Sequence, residues 1–196
     1  MKYMQRNSLY AIAFVVLAGC GQESADARAT SAKQPPASDI NETAGATLCQ
    51  SDEHVVFSCG IERSRKTASV CASPDMNDSQ GHIVYRYGRP GRVELTYPEI
   101  ASGSFSKFFY AEYTRPLLTR QTLRFINKDH EYLIEVENNS EESPHTYGAG
   151  ISVSGPRSLE LELKCASDGL TGIDANVEGV LPCDGESVWA EFSCPN

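Results

Sequence analysis

From Cys49 onward the apolar residues recur with a period of two rather than 3.6, which is the signature of strands with one face turned inward. Ile83, Tyr85 and Tyr87 fall on one face of residues 82–88. Val93, Leu95 and Tyr97 fall on one face of 92–97, with Arg92, Glu94 and Thr96 on the other. Gly88-Arg89-Pro90-Gly91 between them has turn composition, so 82–97 predicts a β-hairpin. A second hairpin joins 122–127 to 131–137 across Lys128-Asp129-His130. A third joins 150–154 to 158–165 across Gly155-Pro156-Arg157, with Leu159, Leu161 and Leu163 expected inward and Glu160, Glu162 and Lys164 in water. Residues 54–59 and 67–72 flank the charged turn 61–66. Residues 105–114 predict a long aromatic strand.

These segments predict an all-β fold, an antiparallel meander of about eight strands closing into a small sandwich or barrel. Fifteen Gly, ten Pro, nine Tyr and seven Phe agree with a turn-rich β protein. No segment combines helical caps with a helical period; 74–81 and 138–146 read as loops. The last 30 or so residues, with Gly169, Gly172, Gly179, Pro182, Gly185 and Pro195, form a loop-rich tail that needs outside support. With 22% charged and 40% hydrophobic residues, the composition is that of a water-facing chain. A net charge of −9 and a pI near 4.9 argue against nucleic acid, whose phosphates call for clustered Lys and Arg.

The first 20 residues form a distinct unit. Lys2 and Arg6 precede a short apolar stretch from Leu9 to Ala18, too short to span a bilayer comfortably and ordered like a signal peptide. It ends in Leu17-Ala18-Gly19-Cys20, which resembles the lipobox of bacterial lipoproteins. That resemblance implies cleavage after residue 19 and a lipid-carrying Cys20. With Gly21 rather than Asp in the next position, it also implies the periplasmic side of the outer membrane of a Gram-negative envelope. Several acyl chains anchor stably, at about 0.8 kcal/mol per buried methylene. Loss of Lys2 and Arg6 with the leader takes the charge from −9 to −11. Residues 20–48, rich in Ala, Ser, Thr and Gln, then read as the lipidated Cys and a flexible tether, and 49–196 as the β domain.

Setting Cys20 aside leaves Cys49, Cys59, Cys71, Cys165, Cys183 and Cys194, an even set in an exported chain, which predicts three disulfides. Spacing alone leaves the connectivity open. Cys59 and Cys71 lie on strands expected to be adjacent, Cys165 and Cys183 bracket the glycine-rich segment, and Cys49 with Cys194 would tie the two ends together. No CxxC pair occurs, and His54, His82, His130 and His145 lack metal-ligand spacing, so neither a metal nor a cofactor is expected.

Catalytic motifs are missing from the sequence: it has no GxSxG, HExxH, phosphate loop or GxGxxG. Residues Asp75 to Gly81 place oxygen donors at alternate positions, yet Gly81 comes one position late for a calcium loop and Arg86 stands where its glutamate belongs. This segment reads as a polar loop. The most unusual stretch is Ser102 to Tyr110, a small polar loop running into aromatics on both faces of one strand. Phe105, Phe109 and Tyr113 are expected to face the core and Phe108 and Tyr110 the other side, where a second layer such as the C-terminal tail would bury them. The alternative is a recognition patch made of Ser102, Gly103, Phe108 and Tyr110.

The run FSC…KTASVCAS…YRYGRPGRVELTYP in residues 57–98 resembles a set of exported proteobacterial proteins without assigned function. The chain is also loosely similar in build to the periplasmic lysozyme inhibitors, small exported β proteins held by disulfides. Their Ser-Gly loop and following Tyr find an echo, at different spacing, in Ser102-Gly103 and Tyr110. The expected function is therefore a non-catalytic, lipid-anchored module that binds a protein partner in the envelope. The alternatives are an inhibitor or immunity protein against a lysozyme-like cell-wall hydrolase and, third, a hydrolase of unassigned type. Replacing Cys20 by Ser is expected to move the protein from the membrane fraction to the soluble fraction and to abolish processing before residue 20. Cell fractionation with intact mass checks both.

Overall fold

The computed structural model describes residues 47–76 and 81–195; Cys20, its leader and most of the tether lie outside this range. The described residues form nine strands in two antiparallel meanders. One sheet has the order β1 (His54–Gly60), β2 (Thr67–Ala72), β3 (Ile83–Arg89), β4 (Arg92–Tyr97). The other has β5 (Phe108–Arg115), β6 (Leu118–Asn127), β7 (His130–Asn139), β8 (Thr146–Gly155), β9 (Leu159–Lys164). All three expected hairpins are present in register, with Tyr85 opposite Tyr97, Phe125 opposite Tyr132 and Ile151 opposite Leu163.

The sheets face each other across one core. Alternate residues supply it: Val70 of β2, Ile83 and Tyr85 of β3, Phe108 and Tyr110 of β5, Leu123 and Phe125 of β6, Ile134 of β7 and Ile151 of β8. Phe125 is its hub. Its ring is fully buried and meets Tyr97 at 4.9 Å, Tyr132 at 4.7 Å, Tyr85 at 5.0 Å and Phe108 at 5.1 Å, the first two stacked. These separations lie in the favourable range for aromatic pairs. Tyr85 and Tyr97 come from one sheet and the other three rings from its partner, so the cluster holds the sandwich closed.

Strand β2 is buried on both faces. Its outer side lies beneath residues 47–53, which is why the sequence there is small: Ser69 accepts the Leu48 N–H (3.0 Å) and bonds the Ser58 hydroxyl (2.9 Å). Beside them Glu53 receives both Arg86 terminal nitrogens, at 2.5 and 2.8 Å. Burial alone would raise the Glu53 pKa, but the Arg86 and backbone hydrogen bonds outweigh it and hold the carboxyl below its ordinary value.

Three disulfides form, as expected, but with none of the expected partners: Cys49–Cys71, Cys59–Cys165 and Cys183–Cys194. Adjacent strands did not make Cys59 and Cys71 neighbours, because Cys59 pairs along the ladder with Ala68 and Cys71 with Val55. Cys59 belongs to the core, whereas Cys71 shares the outer face with Ser69. Cys59 instead bridges the two sheets at Cys165, closing a separation of 106 residues; chain entropy for a loop of that size implies a stabilisation of about 5 kcal/mol.

Three further differences concern the strands. Leu159 and Leu161 are each 48% exposed rather than inward. β9 is an edge strand, and the opposite sheet reaches it only where Ile61 bridges Cys165, so Leu163 is covered and the two leucines further along are not. Val93 is also exposed, beyond a register shift at Tyr87/Gly88. The aromatic strand begins three residues later than expected, after a 3-10 turn over Ser104–Lys107. That turn docks onto β3 through Ser104, whose hydroxyl accepts the Ile83 N–H at 2.7 Å. It also presses Phe105 against Gly81, where any Cβ would sit 2.5 Å from the ring. Truncating Phe125 to Ala is expected to cost about 3–5 kcal/mol, measured as a shift in the denaturant midpoint.

Candidate functional site

The structure divides the residues singled out in the sequence. Ser102 and Gly103 stand exposed in the turn before β5, with Gly103 at a left-handed φ of 68°. Phe108 and Tyr110 do not join them: they are 0% and 4% exposed and belong to the core. The 3-10 turn sets the phase of β5, so that Phe108 and Tyr110 pair with Phe125 and Leu123 and point between the sheets. Phe109 and Tyr113 take the outer face, the reverse of the expected orientation. Phe105 alone keeps its expected inward position. The Tyr110 hydroxyl donates to Glu112 (2.6 Å) and receives the Gln121 amide (3.0 Å). Burial, reinforced by the Glu112 carboxylate, pushes its pKa well above that of a free phenol.

The outer face of β5 carries the expected second layer, and it is the C-terminal tail. Tyr110 N–H donates to Pro182 O (3.0 Å) and Asp184 N–H to Tyr110 O (2.8 Å), a short parallel bridge along the β5 edge. Asp184, 1% exposed, accepts from Arg124 Nε at 2.9 Å and Nη2 at 2.7 Å, while the Arg124 guanidinium lies 4.9 Å above the Phe109 ring. Such a bidentate pair fixes direction as well as charge. Ser193 closes the far end by accepting Glu112 N–H at 2.9 Å and donating to Glu112 O. Cys183–Cys194 seals the loop between these anchors. A short helical turn, α1 (Ala190–Ser193), sits within it, where the sequence pattern gave no helix.

This cap is stiff below and apolar above. Trp189 stacks on Tyr113 (4.5 Å, 18° between planes), Arg120 lies 5.4 Å from the Trp189 ring, and Phe192 meets Tyr113 edge-on at 5.1 Å. Val188 and Phe192 nevertheless remain 84% and 67% exposed. A depression lies on each side of the cap. One, of about 580 Å³, is lined by Tyr110, Glu112, Thr114, Glu178, Leu181 and Phe192. The other, of about 430 Å³, runs from Trp189 and Val188 over Gly148 and Gly150 to Glu135 and Glu137. The arrangement supplies exposed apolar contact flanked by carboxylates.

No family model, curated protein or solved structure matches this chain.

Among the described residues the histidines sit apart: His54 faces Asp174, His82 Glu53, His130 Asp129 and His145 Asn138. Cys49, Glu53 and Cys71 lie close together, yet both sulfurs belong to one disulfide and offer no thiolate to a metal. Of the Asp75–Gly81 loop, residues 77–80 lie outside the described range. Sequence reasoning passed over the cap because glycine and proline dominate the tail. The available signal was Val188-Trp189-Ala190-Glu191-Phe192, an apolar cluster between two cysteines and home to the only tryptophan. Asp184→Asn is expected to destabilise the fold by about 1–3 kcal/mol, because it neutralises the most buried of the three carboxylates that pair with Arg124 while Glu131 and Glu186 remain. Trp189 fluorescence during urea unfolding reads the loss, and Arg124→Met with Asp184→Leu together is expected to cost less than the single change.

Proposed function

We propose that this protein is an envelope-anchored lipoprotein whose β domain binds a protein partner and performs no chemistry of its own. The observation that carries the reading is the cap. Val188 and Phe192 are large apolar side chains held in water on a loop fixed by a disulfide, a buried ion pair and a stacked tryptophan. Exposed apolar side chains on a rigid support lose little conformational entropy on association, which favours their use as contact residues. The lipobox-like Cys20 and the polar segment after it would place that surface at a distance from the membrane, facing the periplasm. Inhibition of a lysozyme-like enzyme remains the alternative. Since Phe108 and Tyr110 are committed to the core, it would have to use the exposed Ser102-Gly103 turn.

Val188→Ser with Phe192→Ser is expected to leave the melting temperature within a few degrees of wild type and to weaken partner binding about tenfold or more. Crosslinking in intact cells, followed by capture of the wild-type and doubly substituted chains, measures it. Equal recovery of the same partner by both would remove the cap from the interface.

A further inference from the structure

Of the four sheet edges, β1 and β5 are covered by the tail, whereas β4 and β9 carry no such layer among the described residues. The β1 edge is occupied by the tail, through Thr171 N–H to Ser58 O (2.9 Å) and Asp174 N–H to Val56 O (2.9 Å). The β5 edge is occupied by residues 182–184 and Ser193. β9 ends the five-stranded sheet with no such cover among the described residues, apart from Glu62 N–H donating to Lys164 O at one extremity (2.9 Å). Cys165 N–H points to Ala149 on β8, while Lys164 O points away. By strand alternation the N–H and C=O groups of Glu160 and Glu162 point outward as well. No proline or bulge interrupts β9; the charges of Glu160, Glu162 and Lys164 guard it against self-pairing while leaving its main-chain groups open to a partner of opposite charge.

Side chains sharpen the description. Leu159 and Leu161 stand half-exposed on one face of this edge, and Glu160 and Glu162 are exposed on the other. We propose that the β9 edge binds an extended segment of a partner protein by strand addition. That segment carries Lys or Arg opposite Glu160 and Glu162 and apolar residues opposite Leu159 and Leu161. Main-chain hydrogen bonds supply the attachment and the alternating side chains the selectivity.

A second copy of this chain is the poorer occupant. Glu62 already fills the Lys164 carbonyl, so two copies of β9 cannot pair through Lys164. Antiparallel registers that avoid Lys164 oppose like charges: centred on Leu161 they set Glu160 against Glu162 twice, and centred on Glu160 they set Glu160 against its own copy, which is destabilising. The polar segment 20–46 offers no alternation of apolar and basic residues either. The proposal rests on the binding-module reading, but it uses the edge opposite the cap.

The test uses the full chain and a synthetic peptide of about ten residues alternating Lys and Val. Its controls are a Glu/Val peptide and a Lys/Val peptide methylated on the alternate amides that would pair. The Lys/Val peptide is expected to bind and to slow amide exchange at Glu160 and Glu162 about tenfold or more by NMR, with the methylated peptide failing to do so. Glu160→Lys with Glu162→Lys is expected to exchange the preference from the Lys/Val to the Glu/Val peptide, about tenfold in each direction. Equal binding of the methylated peptide, or binding without protection of those two amides, overturns strand addition. Concentration-dependent self-association that slows the same amides without peptide overturns the choice of occupant. Val188→Ser with Phe192→Ser is expected to leave peptide binding intact. If that variant loses no cellular partner while the peptide results hold, the cap reading falls and the β9 edge stands.

Discussion

One buried phenylalanine closes the sandwich. Phe125 sits where β3 and β4 cross β5, β6 and β7, touching four other rings drawn from both sheets. A two-sheet meander of this kind has no helix to cover its inner faces, so it depends on side chains large enough to fill a gap of about 10 Å. Tyrosine serves at the margins of this cluster because one end of its ring can stay wet. Tyr97 and Tyr132 are half-buried, while Phe108 and Phe125 lie fully inside.

With the inner faces satisfied, the outer faces and edges become the remaining problem, and the two ends of the described chain solve most of it. Residues 47–53 cover β2 and β3 with hydroxyl-to-backbone bonds and the Glu53–Arg86 pair. The tail crosses the top of the core with Ile173, Val177 and Leu181 inserted, then lies along β5. The first layer is tied to β2 by Cys49–Cys71, and Cys183–Cys194 closes the last loop of the tail on itself, since neither layer is large enough to hold itself by apolar burial alone. The polar groups so buried all have partners among the described residues, which lets a serine-rich face and an arginine pass into the interior.

Much of this was legible in the alternation of residues. Ile83-Val84-Tyr85 and the run from Leu123 to Val136 alternate as strands do, and Gly88-Arg89-Pro90-Gly91 carried the glycine and proline of a turn. What the pattern could not carry was phase and pairing. A single 3-10 turn at Ser104 reversed the facing of Phe108, Phe109 and Tyr110, and no property of those residues themselves records it. Disulfide partners depend on register along the ladder: one bulge near Val56 helps decide that Cys59 points inward and Cys71 outward. The cap was hidden for a different reason. Its position comes from Arg124 and Asp184, 60 residues apart, and no local rule links them.

The Cys49–Cys71 bond has a mechanical meaning as well. Any pull on the chain ahead of Cys49 would otherwise strip residues 49–53 from the sheet one hydrogen bond at a time, as a zip opens. The sulfur bridge instead delivers the load to β2, a central strand held by ladders on both sides. Displacing β2 requires breaking its ladders with both β1 and β3. A load applied ahead of Cys49 therefore reaches a central strand before it reaches residues 50–53.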